Sequence, residues 1–431
     1  MEILNEYHLE SACCGAAFPD KHWELDCPHG DGPALLVTRY ANRLFNPREE
    51  LQGLYRYAAW LPVNRQLEGS APPVTFLSEN LGRHLGLKNL YITFSGYWPE
   101  RGAMMQTGTF KECEAYAVCA RPGRDENKIL VVASAGNTAR AFGRVCSDNN
   151  IPLLLCVPLD NIDALWADSP WNDNVKIACT ATGSDYFDAI HLSNIACEMQ
   201  QFYPEGGAKN VARRDGMATT VLSAVTRIGR IPDYYFQAIG SGTGAIAAWE
   251  ANKRFIEDGR FGKHLMTLVL SQNHPFLPIR DAWKAKSTDM LPLDEQTARS
   301  LAAQIDARVL SNRKPPYAIK GGLRDALLAT GGDILTVTNE EARRAADLFL
   351  LLEGIDIEPA AAVAVASLQQ AANEGRVERE AIIMLNITGG GIARYRETRP
   401  VVQQQPHLTI ATGTPTEEIK EQLRHLFPGH H

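Results

Sequence analysis

A lysine in an electrostatically awkward place is the first residue that could do chemistry. The stretch "TGTFKECEAY" (107–116) reads as a helix start, with Thr109 at the cap and Glu112 three residues on, the pattern of a capping box. Lys111 stands in that first turn, where the helix dipole disfavours a cation and where Phe110 and Tyr116 bring apolar surface. Both effects favour the neutral amine, the form that Schiff-base chemistry needs. A solvated lysine bent away from the helix end is the plainer account of the same residues.

Three glycine-bearing turns add to it. In "GSGTG" (240–244), Gly240, Ser241, Gly242, Thr243 and Gly244 can aim successive N–H groups at an anion, backed by a helix N-terminus at Ala245. The spacing misses the dinucleotide fingerprint, and a ligand-free turn fits as well. In "SAGNT" (134–138), the hydroxyls of Ser134 and Thr138, with the N–H groups about Ala135 and Gly136, suit a carboxylate. Asn137 there offers both a donor and an acceptor, and helix capping is the other account of this turn. In "NITGGG" (386–391), Thr388 ends an apolar run before three glycines that let another group approach the backbone, or that simply make a flexible turn.

The elements around these turns alternate. "KILVVA" (128–133) is a buried strand, the next 17 residues a turn and a helix with Ala139, Phe142, Val145 and Cys146 on one face, and "IPLLLCVP" (151–158) a second strand. Strand, helix, strand at this spacing is a βαβ unit of a parallel sheet. The pattern returns at 234–256, 264–272 and 381–391, with helices at 339–354 and 359–375 between. The fold class is therefore α/β with at least one doubly wound sheet. Segments 158–174, 287–295 and 311–316 are candidate loops or crossings between lobes, and the tail reads as a short strand and an amphipathic helix.

Composition removes several functions. With 431 residues, 45% hydrophobic and 22% charged, the chain has material for two or three domains. A net charge of −7 leaves no basic excess for nucleic acid. No apolar run approaches the roughly 20 residues that span a bilayer, and the first residues lack a signal-peptide pattern. Nine cysteines without such a signal read as reduced thiols, with the cytoplasm as the expected address. Cys13, Cys14, Cys27 and His29 lack the paired knuckles of a zinc site, so no metal is expected. A silent α/β protein that binds a nucleotide or acts as a regulatory partner stays open at this point.

Thr-Phe-Lys, Ser-x-Gly-Asn-Thr, Gly-x-Gly-Thr-Gly and Thr-Gly-Gly-Gly, in this order, resemble the fold-type II pyridoxal phosphate enzymes, most of all their threonine synthase and cysteate synthase branch. The resemblance covers roughly residues 50 to 395 and extends to "SGYWPERGA" (95–103), "NVARRDGMATT" (210–220) and "EPAAAVAVASL" (358–368). It implies two αβα domains with the cofactor, pyridoxal 5′-phosphate, between them. Residues 1–104 and 223–431 would form the large domain and 105–222 a small mobile one. Lys111 would anchor the cofactor and move protons, Asn137 would bond the pyridoxal 3′-oxygen, residues 240–244 would grip the phosphate and Thr388 would face the ring nitrogen. Ser134, Ala135, Gly136, Asn137 and Thr138 would take the substrate carboxylate.

Glu112 after the lysine and the three glycines after Thr388 resemble the cysteate branch. That implies β-replacement through an aminoacrylate, O-phospho-L-serine and sulfite giving L-cysteate and phosphate. Threonine formation from O-phosphohomoserine, or another nucleophile on the same intermediate, is the alternative. Arg140, Arg144, Arg213 and Arg214 are candidate anion ligands. A small amino-acid phosphate ester and a small nucleophile are the implied partners, with neither nucleic acid nor membrane, and the family resemblance implies a homodimer.

Overall fold

The computed structural model describes residues 5–30, 32–122, 128–134 and 136–429. Two parallel sheets dominate it. The first has the strand order Phe202–Pro204, Ile129–Ala133, Leu153–Pro158, Val175–Thr180, Leu408–Ile410, all parallel. The second runs Asp333–Val337, Thr267–Asn273, Tyr234–Ala238, Ile382–Ile387, Asn89–Phe94, Val74–Leu77, with only the last strand antiparallel. A small antiparallel sheet, Ala17–Phe18, Tyr7–Ser11 and Leu36–Tyr40, lies near the N-terminus.

Both faces of each large sheet are covered, which is why their strands are near-continuous apolar runs. In the first, Leu130, Val132, Leu153 and Leu155 pack with Ala139 and Phe142 of the helix Asn137–Asp148. Their neighbours Ile129, Val131, Leu154 and Cys156 face the opposite layer, formed by Leu192 and Ile195 with Leu423 and Phe427 of the tail. In the second, Ile383, Leu385 and Ile387 meet the alanine- and valine-rich helix Pro359–Asn373. Each such side chain contributes about 1.5–3 kcal/mol by leaving water, so a charged residue at Val131 or Leu385 would undo its layer.

The tail crosses back. Leu408–Ile410 pairs with Val175–Thr180, and the helix Thr416–His425 packs behind it. The C-terminal residues thus lie with the 129–204 sheet although they are far from it in sequence. From the segment 311–316, Arg313 Nη2 donates to Asp185 Oδ2 at 2.6 Å, and its guanidinium lies 4.0 Å from the Phe187 ring. Asp185 also caps the helix Tyr186–Cys197 with a capping box to Asp188.

Candidate active site

Parallel strands deliver their carboxyl ends together, and ligands bind in the crevice there. Tyr234–Ala238 and Ile382–Ile387 are neighbours in register, Phe236 opposite Leu385, so the 240–244 turn and Thr388 emerge side by side. Ile129–Ala133 delivers the 134–138 turn from the other sheet.

Lys111 is tied between them. Thr109 makes an isolated antiparallel bridge with Gly389, Phe110 N–H donates to the Thr388 carbonyl at 2.9 Å, and Gly390 N–H donates to the Gly108 carbonyl at 2.9 Å. This pairing corrects the expected cap. Because Thr109 is held in strand-like geometry, the helix starts at Lys111 and runs to Ala120, and Thr109 Oγ1 takes the Lys111 N–H at 3.4 Å. Glu112 turns inward and accepts the Thr107 N–H instead of closing a capping box. Of the two aromatic neighbours, the Phe110 ring lies 4.8 Å from the Lys111 amine, while Tyr116 packs edge-on against Tyr55 in the core.

The Lys111 amine donates to Glu114 Oε2 at 3.2 Å. Burial pulls its pKa below the ordinary lysine value, and Glu114 opposes that pull. Glu114 is fully buried, and its Oε1 takes the Thr138 hydroxyl at 3.2 Å and lies 3.1 Å from Arg213 Nη2. One carboxylate therefore joins the lysine, the 134–138 turn and an arginine. Asn137 Nδ2 donates to Glu358 Oε2 at 2.7 Å, and burial raises the Glu358 carboxyl above its ordinary range. Ser134 Oγ accepts the Gly136 N–H at 3.2 Å; Ala135 lies outside the described residues.

The helix Thr243–Asp258 opens from Gly242, whose φ of +79° is the left-handed conformation that glycine tolerates. The first N–H groups of that helix, at Thr243, Gly244 and Ala245, have no intrahelical acceptor. Ser241 and Thr243 hydroxyls lie 2.8 Å apart, and a Cβ at Gly240 would come within 2.9 Å of the Leu310 backbone.

The four arginines separate. Arg140 is spent on the Thr107 and Ala164 carbonyls and on Glu358; Arg144 pairs with Asp148 and Asp168; Arg214 binds Glu250 and two backbone carbonyls. Only Arg213 shares a carboxylate with Lys111. Sequence reasoning missed Glu114 and Glu358, the carboxyls that take the Lys111 amine and the Asn137 amide. Glu114 carried a readable signal, since a residue three after Lys111 on a helix lies on the same face. Cys14 and Cys27 approach to 3.8 Å, yet among the described residues no group of three or more His, Cys, Asp or Glu is arranged to hold a metal. Among the same residues, no helix is long and apolar enough to cross a membrane.

A family model described as pyridoxal-phosphate dependent enzyme matches residues 78–389. Solved structures of maize serine racemase (TM-score 0.54, 13% identity, 82% of this chain and 93% of that one) and of an L-serine ammonia-lyase from Rhizomucor miehei (0.55, 14%, 76% and 98%) have the same fold. The match and the shared fold define a pyridoxal phosphate enzyme of fold-type II, acting on small molecules. The chain is 46% identical over 412 residues to the cysteate synthase of Methanoculleus marisnigri, covering 95% of this chain and 94% of the relative. It is 45% identical over 424 residues, 98% of each, to that of Methanocella paludicola. The chain belongs to the cysteate synthase family, and its cofactor is pyridoxal 5′-phosphate.

Proposed function

We propose that this chain makes L-cysteate and phosphate from O-phospho-L-serine and sulfite. The observation that carries the reading is the likeness, at 42–46% identity over nearly the whole chain, to proteins named cysteate synthase. When bound, pyridoxal phosphate draws electrons from the substrate Cα and makes its proton removable.

Lys111 holds the cofactor in this reading, and its freed amine takes the α-proton. The lowered pKa of the amine supports the role, because a base must be unprotonated to accept. Glu114 holds the freed amine near the turn that carries the substrate. The N–H groups opening the helix Thr243–Asp258, which lack intrahelical acceptors, support residues 240–244 as the phosphate cradle, and close packing at Gly240 and Gly242 leaves no space for a Cβ there. Asn137, whose amide donates to Glu358, would bond the ring oxygen, and Thr388 would face the ring nitrogen. A neutral hydroxyl at Thr388 does not hold a ring cation as a carboxylate does, which favours replacement over transamination. Ser134, Ala135, Gly136, Asn137 and Thr138 take the substrate carboxylate.

In the same reading residues 105–222 form the mobile substrate lobe and 1–104 with 223–431 the larger one, although the tail strand Leu408–Ile410 pairs with the sheet of the smaller lobe. The enzyme works in the cytoplasm as a homodimer. The test is direct: the cofactor-loaded protein receives phosphoserine with and without sulfite, and separately phosphohomoserine. A sulfite-dependent product with the mass of L-cysteate is expected. Threonine from phosphohomoserine, with no cysteate from phosphoserine, would overturn the reading.

A further inference from the structure

A second carboxyl, Glu205, is buried within electrostatic reach of Lys111, and one of its oxygens has no partner. Glu205 follows the edge strand Phe202–Pro204, and its N–H donates to the Val131 carbonyl at 2.9 Å. It therefore stands at the carboxyl end of the first sheet, level with the 134–138 turn. The residue is 6% exposed. Its Oε2 accepts from Arg213 Nη1 at 2.6 Å and from the Gly207 N–H at 3.0 Å. Its Oε1 is buried without a partner, and so is Arg213 Nε.

Glu114 and Glu205 differ in how they are satisfied. Glu114 faces three donors, Lys111, Thr138 and Arg213. Glu205 shares its one cation, Arg213, with Glu114. Lys111, Glu114 and Tyr186 are the other titratable groups whose charges reach it or Arg213. Burial raises its carboxyl above the ordinary range. Out of water, two carboxyl groups sharing one guanidinium favour a bound proton, and Oε1 is the Glu205 oxygen without a partner. Protonated, Oε1 becomes a donor with nothing in the protein to receive it.

The proposed reaction supplies a receiver. A phosphate ester dianion that loses its Cβ–O bond departs as a trianion unless a proton arrives, and a carboxylate next to that anion would repel it. We propose that Glu205 is a catalytic acid of this reaction, giving its proton to the bridging oxygen of the departing phosphate and regaining one from bisulfite. The inference rests on the phosphoserine reading above. The account balances. Lys111 takes the α-proton; the Cβ–O bond breaks with its electron pair going to oxygen, which takes the proton of Glu205. Bisulfite then returns a proton to Glu205, its sulfur lone pair forms the Cβ–S bond, and Lys111 returns the α-proton to Cα. Phosphoserine dianion and bisulfite become the cysteate sulfonate and hydrogen phosphate, with no oxidant or reductant.

A change of leaving group tests it, because chloride departs without a proton. Wild type and Glu205→Gln are compared on phosphoserine with sulfite and on 3-chloro-L-alanine with sulfite, which yield the same product. Glu205→Gln is expected to lose about 10²-fold or more on phosphoserine and to keep most of its rate on chloroalanine. Equal losses on both, or none on either, in a background where wild type makes cysteate, would reject Glu205 as the acid. A wild type that makes no cysteate from phosphoserine would reject the underlying reaction instead. The cofactor-loaded protein gives a second readout: an infrared carbonyl band of a protonated carboxylic acid, present in wild type and missing from Glu205→Gln, that shifts when inorganic phosphate is added. No band responding to phosphate would overturn the proposal.

Discussion

Glu112 is buried with the Thr107 N–H as its donor, and burial pushes its carboxyl up to about 7 from an ordinary 4.5, against the opposing pull of that bond and of Arg144 and Arg140. Between those values the folded chain keeps a proton that the unfolded chain releases. Stability therefore falls as pH rises through this window, by about 3 kcal/mol in total, and is level above it. Glu112→Gln removes the titration. Urea unfolding at pH 5 and pH 8 is expected to show the variant gaining on wild type by about that amount, and parallel pH profiles would refute the assignment. The same residue explains what could not be read locally. Thr109 and Glu112 have the spacing of a capping box, but Thr109 is claimed by a bridge to Gly389 nearly 280 residues away. Lys111 was legible because its own first turn is a poor place for a cation; its company of Glu114 and Arg213 was not, since Arg213 arrives on another helix.

At the scale of elements, the strand–turn–helix units were legible because each strand is buried on both faces and so reads as an unbroken apolar run. The crossing of helices is not written that way. The helix Val211–Ile228 passes so close to Lys111–Ala120 that a Cβ at Gly216 would overlap the Cys113 carbonyl and come 2.8 Å from the Ala117 Cβ. Gly216 is thus the contact that sets the height of the lysine-bearing helix. Gly216→Ala is expected to destabilise the protein by about 1–3 kcal/mol and, by displacing that helix, to weaken retention of the cofactor. Denaturant unfolding and the residual cofactor absorbance after dialysis measure the two effects. An alanine tolerated with full stability and retention would show that the helices separate freely.

At the scale of the molecule, the site is assembled from chain positions as far apart as Lys111 and Thr388, and only the resemblance to a family, not the local pattern, could bring them together in advance. The return of the tail was equally out of reach: its short strand was readable, its partner Val175–Thr180 was not. Deleting residues 402–431 removes that strand and the Phe427 ring that meets Phe202 at 5.7 Å. It leaves an unpaired parallel edge and an uncovered apolar layer, the features that invite association. Light scattering during gentle warming should rise earlier for the deletion than for the whole chain, and coincident curves would count against a sealing role for the tail.

That returning strand also sets a timetable. A ribosome adding about 5–20 residues per second releases Val175–Thr180 with roughly 230 residues still to be made before Leu408 emerges. For roughly 10 to 45 s of every synthesis, the half-built lobe waits with its edge open, until Leu408–Ile410 is made and supplies the strand beside Val175–Thr180.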